Sequence, residues 1–166
     1  MVPALGSGAI EAACILEPFL SQSLHQGFAR QLNDLAAASM GGAKDSSTAV
    51  PLVYSESFAR DRKTAQAFMD AYLKGVRVYN DAFQKSIDKD RVIGVLASRA
   101  KMEPEIIRDS FPGGLDPDGK VNFRFLDECQ GFFVQQKYLT ESIDLKRLVD
   151  PSFAEDFVRR NGAYAG

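Results

Sequence analysis

Apolar residues recur three and four positions apart over most of this chain, the spacing of one face of an α-helix. The widest such stripe is Ala65, Phe68, Met69, Tyr72, Val76, Tyr79 and Phe83. It predicts a helix of five or six turns over residues ~61–84. A second stripe, Val92, Ile93, Leu96 and Ala100, predicts a helix from about Lys89. Pro104 suits the first turn of a short helix carrying Ile106 and Ile107. Asn122 can cap a helix bearing Phe125, Leu126, Cys129, Phe132 and Phe133. A last helix opens at Asp150-Pro151, buries Phe153 and Phe157, and stops near Gly162.

The first third of the chain reads differently. Residues 3–12 predict a short helix with Pro3 in its first turn. Ala13-Cys14-Ile15-Leu16 is a brief apolar run ended by Glu17-Pro18, the signature of a short buried strand. From Phe19 to Leu32 the stripe Leu20, Leu24, Phe28, Leu32 is helical again. Residues 33–47 are rich in Ala, Gly and Ser and read as loop. Residues 48–57 (TAVPLVYSES) form the best strand candidate, with Pro51 arguing for an edge. The expected class is therefore α/β and helix-rich: a small α/β portion followed by helices.

Composition adds limits rather than a function. One domain fits 166 residues, and 25% charged residues are ordinary for a globular protein. A net charge of −2 with interspersed signs gives no reason to expect a nucleic-acid partner. No run approaches the ~20 apolar residues of a membrane-spanning helix. The first residues lack the basic region of a signal peptide, and the start reads as a cut through a larger protein. Cys14 and Cys129, far apart and set among apolar residues, read as two buried free thiols rather than a disulfide. No cysteine pair or histidine lies at metal-ligand spacing, so no metal site is expected.

Few motifs carry chemistry. Asp116-Pro117-Asp118-Gly119 has its glycine at the fourth rather than sixth position of a calcium loop, and reads as a turn. Gly6-Ser7-Gly8 and Gly41-Gly42 match no phosphate-binding pattern. The single His25 has no identifiable catalytic partner and reads as structural. Asp61, Asp70 and Glu103 sit on polar helix faces and read as solvated. Glu17 differs, because a carboxylate ending a strand lies where open α/β sheets bind ligands. It reads equally well as a helix-start acid facing the positive end of the dipole.

The order Ala4-Leu5-x-Ser7-Gly8-x-Ile10-Glu11-Ala12-Ala13-x-x-x-Glu17-Pro18-Phe19 resembles a segment of the nitrate/sulfonate/taurine-type solute-binding proteins of ABC importers, a group that includes binders of thiamine-pyrimidine precursors. The resemblance continues in order through Gly27-Phe-Ala-Arg, Val53-Tyr54-Ser-Glu-Ser-Phe-Ala and Phe68-Met-Asp-Ala-Tyr-Leu-Lys-Gly. It ends with Asp116-Pro-Asp-Gly-x-Val-Asn, Gln130-Gly-Phe-Phe-Val-Gln-Gln and Ile143-Asp144. Glu11 stands where the family usually has Asp.

The resemblance implies the C-terminal half of a two-lobe, type II periplasmic binding protein fold. Residues 1–47 would be a remnant of the second α/β lobe, 48–57 a crossover strand, and 58–166 the helical part of the first lobe. It further implies an exported or periplasmic solute-binding component, with a small organic anion or nitrogen heterocycle as solute and a membrane permease as partner. Glu17, Phe19 and Tyr54 would contact the solute, with no catalytic residue, metal or cofactor. Apolar helix faces would await a missing N-terminal lobe or self-association. Two rivals remain: a thiamine-pyrimidine synthase-like enzyme of the same fold, and a helical interaction module without a small ligand. One His and two isolated Cys argue against the enzyme's iron chemistry.

Overall fold

A computed structural model describes residues 1–32, 51–110 and 115–165. Among these, every regular element is helical. We number them α1 (Val2–Gly6), α2 (Phe19–His25), α3 (Glu56–Arg60), α4 (Arg62–Lys85), α5 (Lys89–Ala100), α6 (Pro104–Asp109), α7 (Phe123–Gln135) and α8 (Ser152–Asn161), with a 3-10 turn at Leu145–Arg147.

The α/β expectation, and with it the two-lobe periplasmic binding fold, is overturned: the described residues contain no strand and no sheet. The two strand candidates explain why. Residues 12–16 lack regular structure, and none of their backbone amides donates to the backbone of another described residue. Leu16 is 77% exposed. In the described part of 48–57, Val53 is also 77% exposed, and the segment ends in helix instead. Ser55 there caps α3, its hydroxyl accepting from the Phe58 amide at 3.2 Å. A strand is stable only as part of a ladder, and no second strand among the described residues supplies one. Apolar patterning alone does not make a sheet.

Several helices stop earlier than their stripes suggest. α1 ends at Gly6 rather than near 12, and α2 ends at His25, well before Leu32. The exposed backbone turn at Gly27, with φ 76, is open to glycine without strain and follows directly. Cys14 is exposed, not buried, while Cys129 is half-buried and both are free thiols. The long helices match their stripes closely, α4 over 24 residues and α5 over 12. The Asn122 cap is present, its side-chain oxygen accepting from the Phe125 amide at 3.0 Å. The loop reading for 33–47 lies outside the described residues, as do 111–114 of the turn.

The chain divides into two compact units, each with its own core. The described residues of 1–39 and 81–113 make the first. There α1 packs on α2, α2 on α6, and α6 on α5. Ile93, Ala97 and Ile107 are buried together, with Phe83, Leu96 and Met102 packed against them. Lys101 ends α5 in the left-handed region at φ 56, ψ 46, and Met102 donates back to the Ala97 carbonyl at 3.1 Å. His25 and Asp109, 2.8 Å apart and well exposed, tie α2 to α6 at the surface.

The second unit comprises the described residues of 40–80 and 114–166. Its core is Leu73, Ala154 and Phe157, with Met69 and Val158 against it. The Asp116–Gly119 turn lies directly on this core. A Cβ at Gly119 would sit 2.9 Å from that of Ala154 and 3.3 Å from a Leu73 methyl, at φ +71. Replacing Gly119 with alanine therefore meets both a left-handed backbone and a rigid neighbour. A loss of at least about 2 kcal/mol in urea unfolding is expected; an unchanged midpoint would show that the turn gives way freely.

Candidate functional site

Glu17 and Phe19 flank the start of α2. The Glu17 carboxylate accepts from the Ser21 amide at 3.0 Å and from the Ser21 hydroxyl at 3.1 Å. Its geometry is that of an acid capping the first turn, where free amides point outward. Ser21 is itself buried, at 3% exposure, so the carboxylate is drawn against the helix rather than held out to solvent. Phe19 is half exposed, and its carbonyl accepts from the Ser23 hydroxyl at 2.8 Å. The ring is free to touch an apolar surface.

Tyr54 belongs to the second unit and is engaged in structure there. Its hydroxyl donates to the Ala65 carbonyl at 3.0 Å. Its ring meets Phe58, Phe68 and Phe153 edge-on, with centroids 4.9, 5.9 and 5.2 Å away. Edge-to-face pairing is the favoured geometry for such rings. Burial, and then the Asp70 charge, push the Tyr54 hydroxyl above its ordinary pKa, so it remains a neutral donor.

The densest polar constellation is one that periodicity did not single out. Arg77 and Asn80 lie on the inner face of α4, one and two turns beyond Leu73. Arg77 Nη2 donates to Asp118 Oδ1 at 2.8 Å and to the Gly162 carbonyl at 2.7 Å, and its Nε donates to the Pro117 carbonyl at 3.1 Å. The guanidinium stands 4.7 Å over the Phe157 ring. Asn80 is 2% exposed and donates to the Leu115 carbonyl at 3.0 Å. Asp118 Oδ1 also accepts from the Tyr164 amide at 2.9 Å. The signal available in the sequence was an arginine and an asparagine inside an otherwise apolar stripe. Buried polar groups at such positions need partners.

Comparison with protein-family models, characterised proteins and solved structures returns no match for this chain. Among the described residues no group of three or more His, Cys, Asp or Glu is placed to hold a metal ion. No helix among them is long and apolar enough to cross a membrane.

A third cluster sets the acid response of the second unit. Arg160 donates to both oxygens of Asp70, at 2.7 and 2.8 Å, and Gln66 adds a bond at 2.8 Å. The Arg160 bonds hold the Asp70 pKa below its usual value, with Gln66 assisting. Asp61, bonded to Thr64, and Asp150, bonded to Ser152, are lowered as well. Each is a carboxylate whose folded pKa is depressed. Its stabilisation is complete above the unfolded value of 3.8 and disappears as pH falls through the folded one. Thermal melts should thus lose stability below about pH 4, and Asp70→Asn should flatten that acid limb. An identical limb in the variant would remove Asp70 from the account.

Proposed function

We propose that this chain takes part in solute capture for an ABC-type importer, as one part of a binding component and not as an enzyme. The observation that carries the reading is the ordered succession of motifs from Ala4 to Asp144. The proposal concerns the activity alone; the described helical architecture does not have that family's two-lobe fold. Of the three residues expected to contact solute, Phe19 keeps an exposed ring, Glu17 is drawn onto α2, and Tyr54 is bound into an aromatic cluster. The chain by itself therefore presents few convergent polar groups to a small molecule. Weak binding follows, with capture depending on further polypeptide.

The test is uptake of labelled nitrate, taurine, an alkanesulfonate and an aminopyrimidine by the native host, with and without the gene. Loss of uptake of at least one solute, restored by the intact gene, is expected. Unchanged uptake of all four would overturn the proposal.

A second reading, a helical interaction module, is favoured by a separate observation. α7 buries none of its residues, although Phe132 and Phe133 lie on it and are 54% and 44% exposed. Their rings pair at 5.8 Å, and Phe133 pairs with Tyr138 at 6.2 Å. An apolar patch of this kind in a stable protein is usually covered by something. Retained uptake together with co-purification of one stoichiometric protein, lost on Phe132→Ser, would favour this reading.

A further inference from the structure

The segment after α8 turns back at Gly162, with φ 78 and ψ 160, a conformation that glycine alone takes readily. It then lies against the same two side chains that hold the 115–120 turn. Arg77 reaches the segment at the Gly162 carbonyl and the turn at the Pro117 carbonyl. Asp118 belongs to the turn and reaches the segment at the Tyr164 amide. The same Oδ1 of Asp118 accepts from Arg77 Nη2 and from Tyr164. The Arg77 and Asp118 side chains are only 17% and 9% exposed. The Tyr164 ring lies 6.0 Å from the guanidinium.

A short irregular segment after a helix normally frays on its own, at almost no free-energy cost. This one cannot, because its departure uncovers a charge pair that is otherwise kept from water. Once water reaches the pair, Arg77 holds the Pro117 carbonyl and Asp118 less firmly. Conversely, displacing the turn carries Asp118 away from Tyr164. The turn is also ordered internally, with Asp116 Oδ1 accepting from the Asp118 and Lys120 amides at 2.9 and 3.1 Å. It therefore moves as a piece.

We propose that residues 162–165 and the 115–120 turn form one cooperative latch on α4, opening together through the shared Arg77–Asp118 pair. Anything that seizes or cuts within residues 162–165 thereby releases a surface turn far from it in sequence, and anything that binds the turn releases the segment. The latch couples two points 46 residues apart, the separation of Asp118 and Tyr164. It is independent of the transport reading and would hold under either function.

Amide exchange on the intact chain, followed by NMR across low denaturant, tests this directly. The amides of Tyr164, Asp118, Gly119 and Lys120 should open with one common protection factor and one denaturant slope, as members of a single unit. In a chain ending at Asn161, the three turn amides should exchange at least about tenfold faster. Ile107 and Ser110 of the other unit should be unchanged. Arg77→Lys, which keeps the charge but loses the fork, should speed Tyr164 and Gly119 by the same factor. A Tyr164 amide exchanging more than about tenfold faster than the turn in the intact chain would overturn the latch, as would a turn indifferent to the truncation. Should the shortened chain fail to fold, the intact-chain comparison decides the matter by itself.

Discussion

Replacing Arg77 with alanine is expected to destabilise the second unit by about 3–5 kcal/mol, the cost of breaking a largely buried ion pair from one side. The loss has separate sources that point the same way. Asp118, 9% exposed, would lose its close countercharge and keep only the exposed Lys120 at 3.9 Å. The carbonyls of Pro117 and Gly162 would lose their charged donor. The face of Phe157 would lose the guanidinium 4.7 Å above it. Lysine at this position restores charge but not the fork, and should recover less than half of the loss. Urea unfolding by far-UV circular dichroism, with exchange data to separate the two units, would measure it. A loss below about 1 kcal/mol would mean that the pair is no stronger than an exposed surface bridge.

Replacing Phe157 with alanine is expected to cost a similar amount, about 3–5 kcal/mol, for a different reason. Phe157 is 1% exposed and is the largest fully buried side chain described. Its neighbours Leu73 and Ala154 are held by α4 and α8, whose backbones cannot close in to fill the void. Leucine should lose roughly 1–1.5 kcal/mol, since most of the volume is kept. Equal losses for leucine and alanine would show that the aromatic face, not the volume, matters here. Because Arg77 touches Phe157, the two alanine substitutions should not add. The double variant is expected to lose less than the sum, by about 0.5–3 kcal/mol.

How far the sequence disclosed this molecule depends on the range of the interaction involved. α4, α5, α6 and α7 were legible because a helix satisfies its backbone within itself and needs only one apolar side. The buried Phe153 and Phe157 of α8 were legible for the same reason. Even so, the stripe on α4 included two exposed aromatics and omitted one buried leucine. Phe68 and Tyr72 are 46% and 37% exposed, while Leu73, fully buried, carries the core. Size misled the choice, since two aromatics outweighed a smaller leucine placed one step further round the helix.

The strands expected at 13–16 and 48–57 are absent among the described residues, because a strand is completed by hydrogen bonds to residues remote in sequence and local apolar patterning cannot supply them. Ser55 marks a helix start that the apolar run before it concealed, whereas the start at Asp61 agrees with the helix read over ~61–84. Of the candidate site residues, Glu17 was read as either ligand contact or helix acid, and its bonds to Ser21 are those of the second. Tyr54 could not have been assigned from sequence, since its partners Ala65 and Phe153 lie 11 and 99 residues away. The Arg77 node needs three segments brought together, from α4, the 115–120 turn and residues 162–165, and periodicity sees only one at a time.

The uncovered stretch from Ala12 to Leu16 bears on the life of the protein in the cell. Proteases and holding chaperones both receive their substrates as irregular, accessible apolar chain. This stretch lacks regular structure while the helices on either side stay folded. Its steady-state abundance should then depend less on the free energy of global unfolding than on how quickly those five residues find cover.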